Sequence, residues 1–171
     1  MSCATKIGPM RRVFGWCLLV FGGLCIFLLD RVDIVMNAST SLEDPAYLML
    51  EHPVVLTKGA VIAAKMPDPL KAKYDGFHYV KVIRGLPGDE VTLDGAGNPC
   101  IEDFECFPLF RENGEPIAPA IKPGVIPADH FAVFGTSADS LDSRYDAIGL
   151  VHKDDLIGRG IALPWVPDWR K

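Results

Sequence analysis

The sequence predicts a mainly β protein, an antiparallel β domain preceded by one apolar N-terminal helix. Three observations predict it. Residues 13–29 (VFGWCLLVFGGLCIFLL) run without a charge. Beyond them, apolar residues fall in short runs separated by Gly, Pro, Asn and Asp, the punctuation of strands and tight turns. No heptad, internal repeat or long amphipathic stretch competes with that reading. The chain has 171 residues, enough for one domain with a real core. Its apolar content of 49% and mean hydropathy of +0.21 are high for a purely soluble protein, and the excess traces to residues 13–29.

The helix comes first. Lys6, Arg11 and Arg12 precede the apolar run and Asp30-Arg31 closes it. At 1.5 Å per residue it spans about 26 Å, the short end for a membrane helix. A cleaved signal peptide would end in a small-x-small site, but Phe27-Leu28-Leu29-Asp30 offers none and Asn37-Ala38-Ser39 is the nearest small cluster. A retained signal anchor is therefore the expectation, preferred over a buried core helix because of the basic residues before it. The positive-inside rule places residues 1–12 in the cytoplasm, residues 13–30 in the membrane and residues 31–171 outside as one extracytoplasmic domain.

Within that domain, residues 31–36 read as an entry strand and residues 39–50 as turn residues followed by a small apolar run. Residues 59–65 (GAVIAAK) read as a strand, ended by Met66-Pro67-Asp68-Pro69. After a loop, residues 77–84 form a strand carrying Lys81 that runs into Gly85-Leu86-Pro87-Gly88-Asp89, and residues 90–93 resume as a strand. Residues 94–127, rich in Gly, Pro and charge, read as a hairpin or irregular insertion. Residues 130–135, 148–152 and 156–163 are the remaining strands. Trp165 and Trp169 fit either a return to the membrane surface or core packing.

From Asp30 onward, 14 Lys+Arg (17 less Lys6, Arg11 and Arg12) face all 22 Asp+Glu, a net charge of −8. Such a domain is unsuited to a phosphate backbone, so no nucleic-acid partner is expected. Cys100 and Cys106 have five residues between them inside the insertion. They offer too few ligands for zinc, and His78, His130 and His152 show no ligand spacing. A structural disulfide in an oxidising compartment is the better reading, with two unpaired thiols in a surface loop as the other.

Three segments can carry chemistry. Lys81 lies among Tyr79, Val80, Val82 and Ile83. The bland reading is a lysine snorkelling to water. If it points inward instead, desolvation lowers its pKa into the range of a general base. Ser41 sits in Asn37-Ala38-Ser39-Thr40-Ser41-Leu42-Glu43-Asp44-Pro45. There, Thr40 with Glu43 or Ser41 with Asp44 also fits a capping box for a short helix through Leu50. Asn37-Ala38-Ser39 also matches a glycosylation sequon, a pattern common by chance. Residues 135–144 (GTSADSLDSR) read either as a solvated loop with Asp142 and Arg144 paired locally, or as a polar shelf beside the lysine amine.

Together, and in this order, the segments resemble type I signal peptidases. The carriers are Ser41-Leu42, Lys81 four residues before Gly85-Leu86-Pro87-Gly88-Asp89, and Ser140-Leu141-Asp142-Ser143-Arg144, within about residues 35–163. The chain looks most like the TraF-type peptidases of conjugative transfer systems. Asn37, Ser39, Ser41 and Tyr47 match their serine-box spacing, the ten-residue last box matches their shorter form, and only 45 residues separate Asp89 from Gly135. It departs from the family in placing Pro45 four residues after Ser41, Val82 where an arginine commonly follows the lysine, and two extra residues before Gly149.

The resemblance implies a signal-peptidase-like β domain behind one transmembrane helix of the inner membrane, with its catalytic part in the periplasm. It implies Ser41 as nucleophile, Lys81 as base, the Ser41 N–H and Ser39 hydroxyl as oxyanion donors, and Ser140 orienting the amine. Asp142 and Arg144 would support the loop, with a more direct role for Asp142 suggested by the TraF-type enzymes. No metal or organic cofactor is implied. The partners would be membrane lipid, a preprotein substrate (in particular a propilin, cut and in some relatives cyclised) and other conjugative transfer proteins. The substrate is expected to add as a strand beside residues 59–65, with Val61, Ala63 and Ala64 as shallow subsites. The alternatives are a general signal peptidase for secreted preproteins and a catalytically inactive pilus-assembly subunit, for which Glu43-Asp44 is the best support.

Overall fold

The computed structural model describes residues 9–29, 31–51, 55–102 and 105–170. The expected cytoplasmic N-terminus therefore lies largely outside the described residues, as does Asp30. The apolar run forms helix α1, Pro9–Leu29. Its side chains from Val13 to Phe27 are mostly exposed, Trp16 at 69%, Leu19 at 69% and Ile26 at 71%. Among the described residues no helix is long and apolar enough to cross a membrane, the side chains described in α1 stopping at Phe27.

The rest is antiparallel β. Strands β1 (Val32–Met36), β2 (Ala46–Glu51), β3 (Val61–Ala64) and β4 (Tyr79–Gly85) come first, with a short helix α2 (Asp68–Lys71) between β3 and β4. Strands β5 (Glu90–Leu93), β6 (Pro99–Ile101), β7 (Glu105–Cys106), β8 (Arg111–Glu112), β9 (Glu115–Pro116) and β10 (Gly124–Val125) follow. Strands β11 (His130–Phe134), β12 (Val151–His152) and β13 (Leu156–Ala162) complete the set among the described residues. The larger sheet runs β1-β2-β13-β3-β4-β11-β12, a smaller one β10-β5-β6-β7, and β8-β9 is a hairpin. The 94–127 insertion thus supplies most of a second sheet, and Cys100 and Cys106, register partners of β6 and β7, are joined in a disulfide.

Two expectations fail here for sheet reasons. The short capped helix through Leu50 does not form. Ala46–Glu51 alternates buried and less buried side chains and is hydrogen-bonded on both sides, to β1 and to β13, so the sheet claims the backbone that a helix would need. Strand β3 cannot receive a substrate by strand addition, because it already pairs with β13 and β4. Only a strand with an unpaired edge can template another.

Strand β4 positions the site. Tyr79 and Ile83 enter one core layer with Ile62, Phe131 and Val133. Val80 and Val82 enter the opposite layer with Tyr47 and Met49. Side chains alternate along a strand, so Lys81 shares the face of Tyr79 and Ile83. It is only 6% exposed. On the side away from β3, β4 pairs with β11 from Val82 onward, which leaves the backbone before Val82 unpaired on that edge among the described residues.

Candidate active site

Lys81 Nζ donates to Ser41 Oγ at 2.9 Å. The residues of this pair come from different places: β4 presents the lysine and the β1–β2 connection presents the serine. Burial lowers the Lys81 pKa to about 8, against a weaker upward pull from Asp142, with Arg144 adding to the lowering. Glu43 and Asp44 are not among the charges that move it, so the inactive-subunit reading loses its main support. The amine also lies 4.9 Å from the centre of the Tyr79 ring.

The serine loop is held from three directions. The Asn37 side chain, buried between β1 and the loop, donates to the carbonyls of Leu42 and Asp44 (both 3.1 Å) and accepts from the Ser39 N–H and hydroxyl (3.1 and 3.2 Å). The N–H of Thr136 donates to the Ser41 carbonyl at 2.8 Å. Arg170 donates to the carbonyls of Ser39, Leu42 and Glu43 at 2.7, 2.9 and 2.6 Å. Ser39 Oγ lies 2.8 Å from Ser41 Oγ and accepts from the Ser41 N–H at 3.3 Å. Both expected oxyanion donors thus stand beside the nucleophile, bonded to each other.

The 135–144 segment is a shelf with a buried base, Gly135, Ser140 and Asp142 to Arg144, while Thr136, Ala138, Asp139 and Leu141 are exposed and Asp142 pairs locally with Arg144. Asp142 is fully buried and accepts from the Gly135 N–H (2.8 Å), the Arg144 N–H (3.1 Å) and the Arg144 guanidinium (2.8 and 3.0 Å). Arg144 spreads its other donors over the carbonyls of Pro108, Gly135, Ser137 and Ala138. With these partners Asp142 reaches Lys81 only through its field. Ser140 is the exception to the expected pattern. It is buried, yet its Oγ has no hydrogen-bond partner among the described residues, so the bond that would orient Lys81 is not formed. The amine points to Ser41 instead, and Ser140 is pressed against Gly135, where a Cβ would fall 2.2 Å from Ser140 Oγ and 2.6 Å from the Ser41 carbonyl.

Ser39, Ser41, Lys81 and Ser140 open on a cleft of about 910 Å³, walled by Ile34, Met36, Leu70, Tyr74 and Phe77 among others. Among the described residues, one group with metal-ligand character joins Asp94 to Cys100 and Cys106, but those sulfurs are tied in the disulfide and supply no thiolates. The contact that sequence reasoning missed is that of Arg170. Its acceptors are backbone carbonyls more than a hundred residues away, which leave no side-chain pattern. The available signal was a repeat: Asp168-Trp169-Arg170 echoes Asp142-Ser143-Arg144.

The fold and cleft are those of a β-sheet protein that brings a serine hydroxyl and a buried amine together at one end of a strand. Residues 9–165 match the model of the family "Signal peptidase, peptidase S26". The chain belongs to that family. A probable signal peptidase I-2 of Synechocystis sp. is 34% identical over 141 residues, 80% of this chain and 55% of that protein. The chain therefore spans about half the length of this curated relative. A crystal structure of a signal peptidase I from Enterococcus faecalis V583 is 20% identical and covers 63% of this chain and 98% of its own, with a TM-score of 0.39.

Proposed function

We propose that this chain is a membrane-anchored serine endopeptidase that cuts preproteins with Ser41 as nucleophile and Lys81 as general base. The observation that carries the reading is the 2.9 Å contact between a buried lysine amine and a serine hydroxyl facing an open cleft, in a chain of the signal peptidase family. A neutral Lys81 takes the Ser41 proton as Oγ bonds to the scissile carbonyl carbon. The resulting oxyanion is met by the Ser41 N–H and the Ser39 hydroxyl once they turn from each other, each such donor contributing about 3–4 kcal/mol. The Lys81 ammonium then returns the proton to the leaving amine as the C–N bond breaks, and water attacks the acyl ester by the reverse path. Ser140, whose Oγ has no partner among the described residues and which lines the same cleft, accepts from the ammonium while it holds the extra proton.

The substrate is an extended segment with small residues before the cut. It adds to the unpaired edge of β4 before Val82, against the 33–39 side of the cleft. Residues 13–30 serve as the anchor, residues 1–12 as its cytoplasmic flank, and residues 31–171 as the periplasmic domain beyond the inner membrane. The apolar residues exposed around α1 support the anchor, and the disulfide supports an oxidising compartment. We assign the client as the propilin of a conjugative transfer system, with Asn37, Ser39, Ser41 and Tyr47 at TraF-type spacing as the support. Cyclisation would require only that a pilin amine replace water on the acyl ester.

The second reading is a general signal peptidase for secreted preproteins, supported by the likeness to a probable signal peptidase I-2 with no mark of a conjugative client in its name. Membranes carrying the chain, incubated with propilin and separately with a panel of unrelated preproteins, distinguish the two. Propilin cut and the panel left intact is the expected result, with product masses reporting linear or cyclic pilin. Equal processing of the panel would overturn the dedicated client.

A further inference from the structure

Two Asp-x-Arg triplets in this chain close in the same way. In Asp142-Ser143-Arg144 the arginine N–H, Nε and Nη2 donate to the aspartate at 3.1, 2.8 and 3.0 Å. In Asp168-Trp169-Arg170 the same three bonds measure 3.1, 2.8 and 3.1 Å. Each arginine then turns other donors on backbone carbonyls of a loop beside the Ser41–Lys81 pair, Arg144 also reaching the Pro108 carbonyl. Arg144 takes the 135–138 shelf, and Arg170 takes the serine loop.

We propose that Asp168 and Arg170 form a positioning clamp for the nucleophile loop, setting the orientation of Ser41 and of its N–H. A guanidinium has five N–H donors in a fixed planar fork. All five of Arg170 are engaged: two on Asp168 and three on the carbonyls of Ser39, Leu42 and Glu43. With Asn37 on Leu42 and Asp44, and Thr136 on Ser41, every carbonyl from Ser39 to Asp44 except that of Thr40 is anchored. The peptide plane that carries the Ser41 N–H lies between the anchored carbonyls of Ser39 and Ser41, so its neighbours set its direction. Asp168 supplies the counter-charge and holds the guanidinium plane. The arginine side chain is 10% exposed, so the clamp works largely shielded from water. A lysine could not replace it, having three donors and no fork.

The proposal rests on the peptidase reading, and the experiment separates the two. The full chain in detergent micelles is assayed on an internally quenched peptide with alanine at the first and third positions before the cut, and backbone amide exchange is measured on the same samples. Arg170→Ala should lower kcat by about 10- to 100-fold, as misplacement of a nucleophile by about 1 Å would. KM should stay within about threefold and the acid limb of the pH profile should not move. Arg170→Lys should recover little of the loss, and Asp168→Asn should show a smaller one. Exchange in Arg170→Ala should quicken in residues 39–44 and not in β4 or β11. A kcat within about twofold of the intact chain, a shifted acid limb, or quickened exchange throughout the domain would overturn the clamp. If the intact chain leaves both this peptide and propilin uncut, the peptidase reading fails, and local exchange alone decides the clamp.

Discussion

A buried lysine amine with Ser41 and the Tyr79 ring beside it loses most of its hydration, and the charged form suffers for it. The fall of the Lys81 pKa from 10.5 to about 8 corresponds to about 3 kcal/mol against the protonated amine. Below about pH 8 the amine is protonated in folded and unfolded chains alike, so the full cost falls on the native state at pH 7. As pH rises from about 8 to 10.5 only the unfolded chain keeps the proton, and the cost fades. Replacing the amine by an isosteric apolar chain, Lys81→Met, should therefore raise stability to urea at pH 7 by up to about 3 kcal/mol, with a smaller gain at pH 10. A destabilised variant at pH 7 would show that the charged amine gains more from its partners than it loses by burial, so that its pKa is not lowered. In the working protein, kcat/KM should rise with pH through an acid limb at about 8, the ionisation of the free base. A limb near 6.5 would assign the base elsewhere, and one near 10.5 would mean that burial does not lower the Lys81 pKa. Lys81 could be singled out in the sequence because its neighbours on both sides are apolar. Ser41 could not be separated from a helix cap without the other two boxes, since hydroxyl and acidic residues serve both ends.

At the scale of elements, Gly135 joins β11 to the shelf and lets the shelf touch the serine loop. A methyl there would meet Ser140 Oγ at 2.2 Å and the Ser41 carbonyl at 2.6 Å, and the carbonyl cannot yield without moving the nucleophile. Gly135→Ala should cost about 1–3 kcal/mol of stability and about 100-fold in kcat. Wild-type turnover in that variant, measured at equal folded fraction, would mean that the contact is slack. The main strands were legible because apolar runs and Gly/Pro breaks mark them, with ends shifted by up to three residues. The second sheet was not. Apart from β5, its strands β6, β7 and β10, like those of the β8–β9 hairpin, are two or three residues long, too short for periodicity to register, and what defines them is pairing across the insertion and the Cys100–Cys106 bond. Strand order is equally hidden in the sequence, where nothing near β3 shows that β13 returns from the far end of the chain to cover its edge.

At the scale of the molecule, one serine, one lysine and a shelf from three distant segments meet at the open end of an antiparallel sheet. The order of the boxes along the chain carried that meeting into the sequence, and the long-range Arg170 contact did not reach it. The exposed apolar helix and the acidic β domain divide the protein as an anchor and a catalytic body would. The central claim is that this body cuts preproteins with Ser41 and Lys81. The direct measurement is the initial rate of preprotein cleavage by the full chain in membranes, set beside Ser41→Ala and Lys81→Ala. We predict cleavage by the intact chain and a loss of about 1,000-fold or more in each variant, as removal of either member of a nucleophile–base pair entails. Undiminished cleavage in either variant would contradict the account.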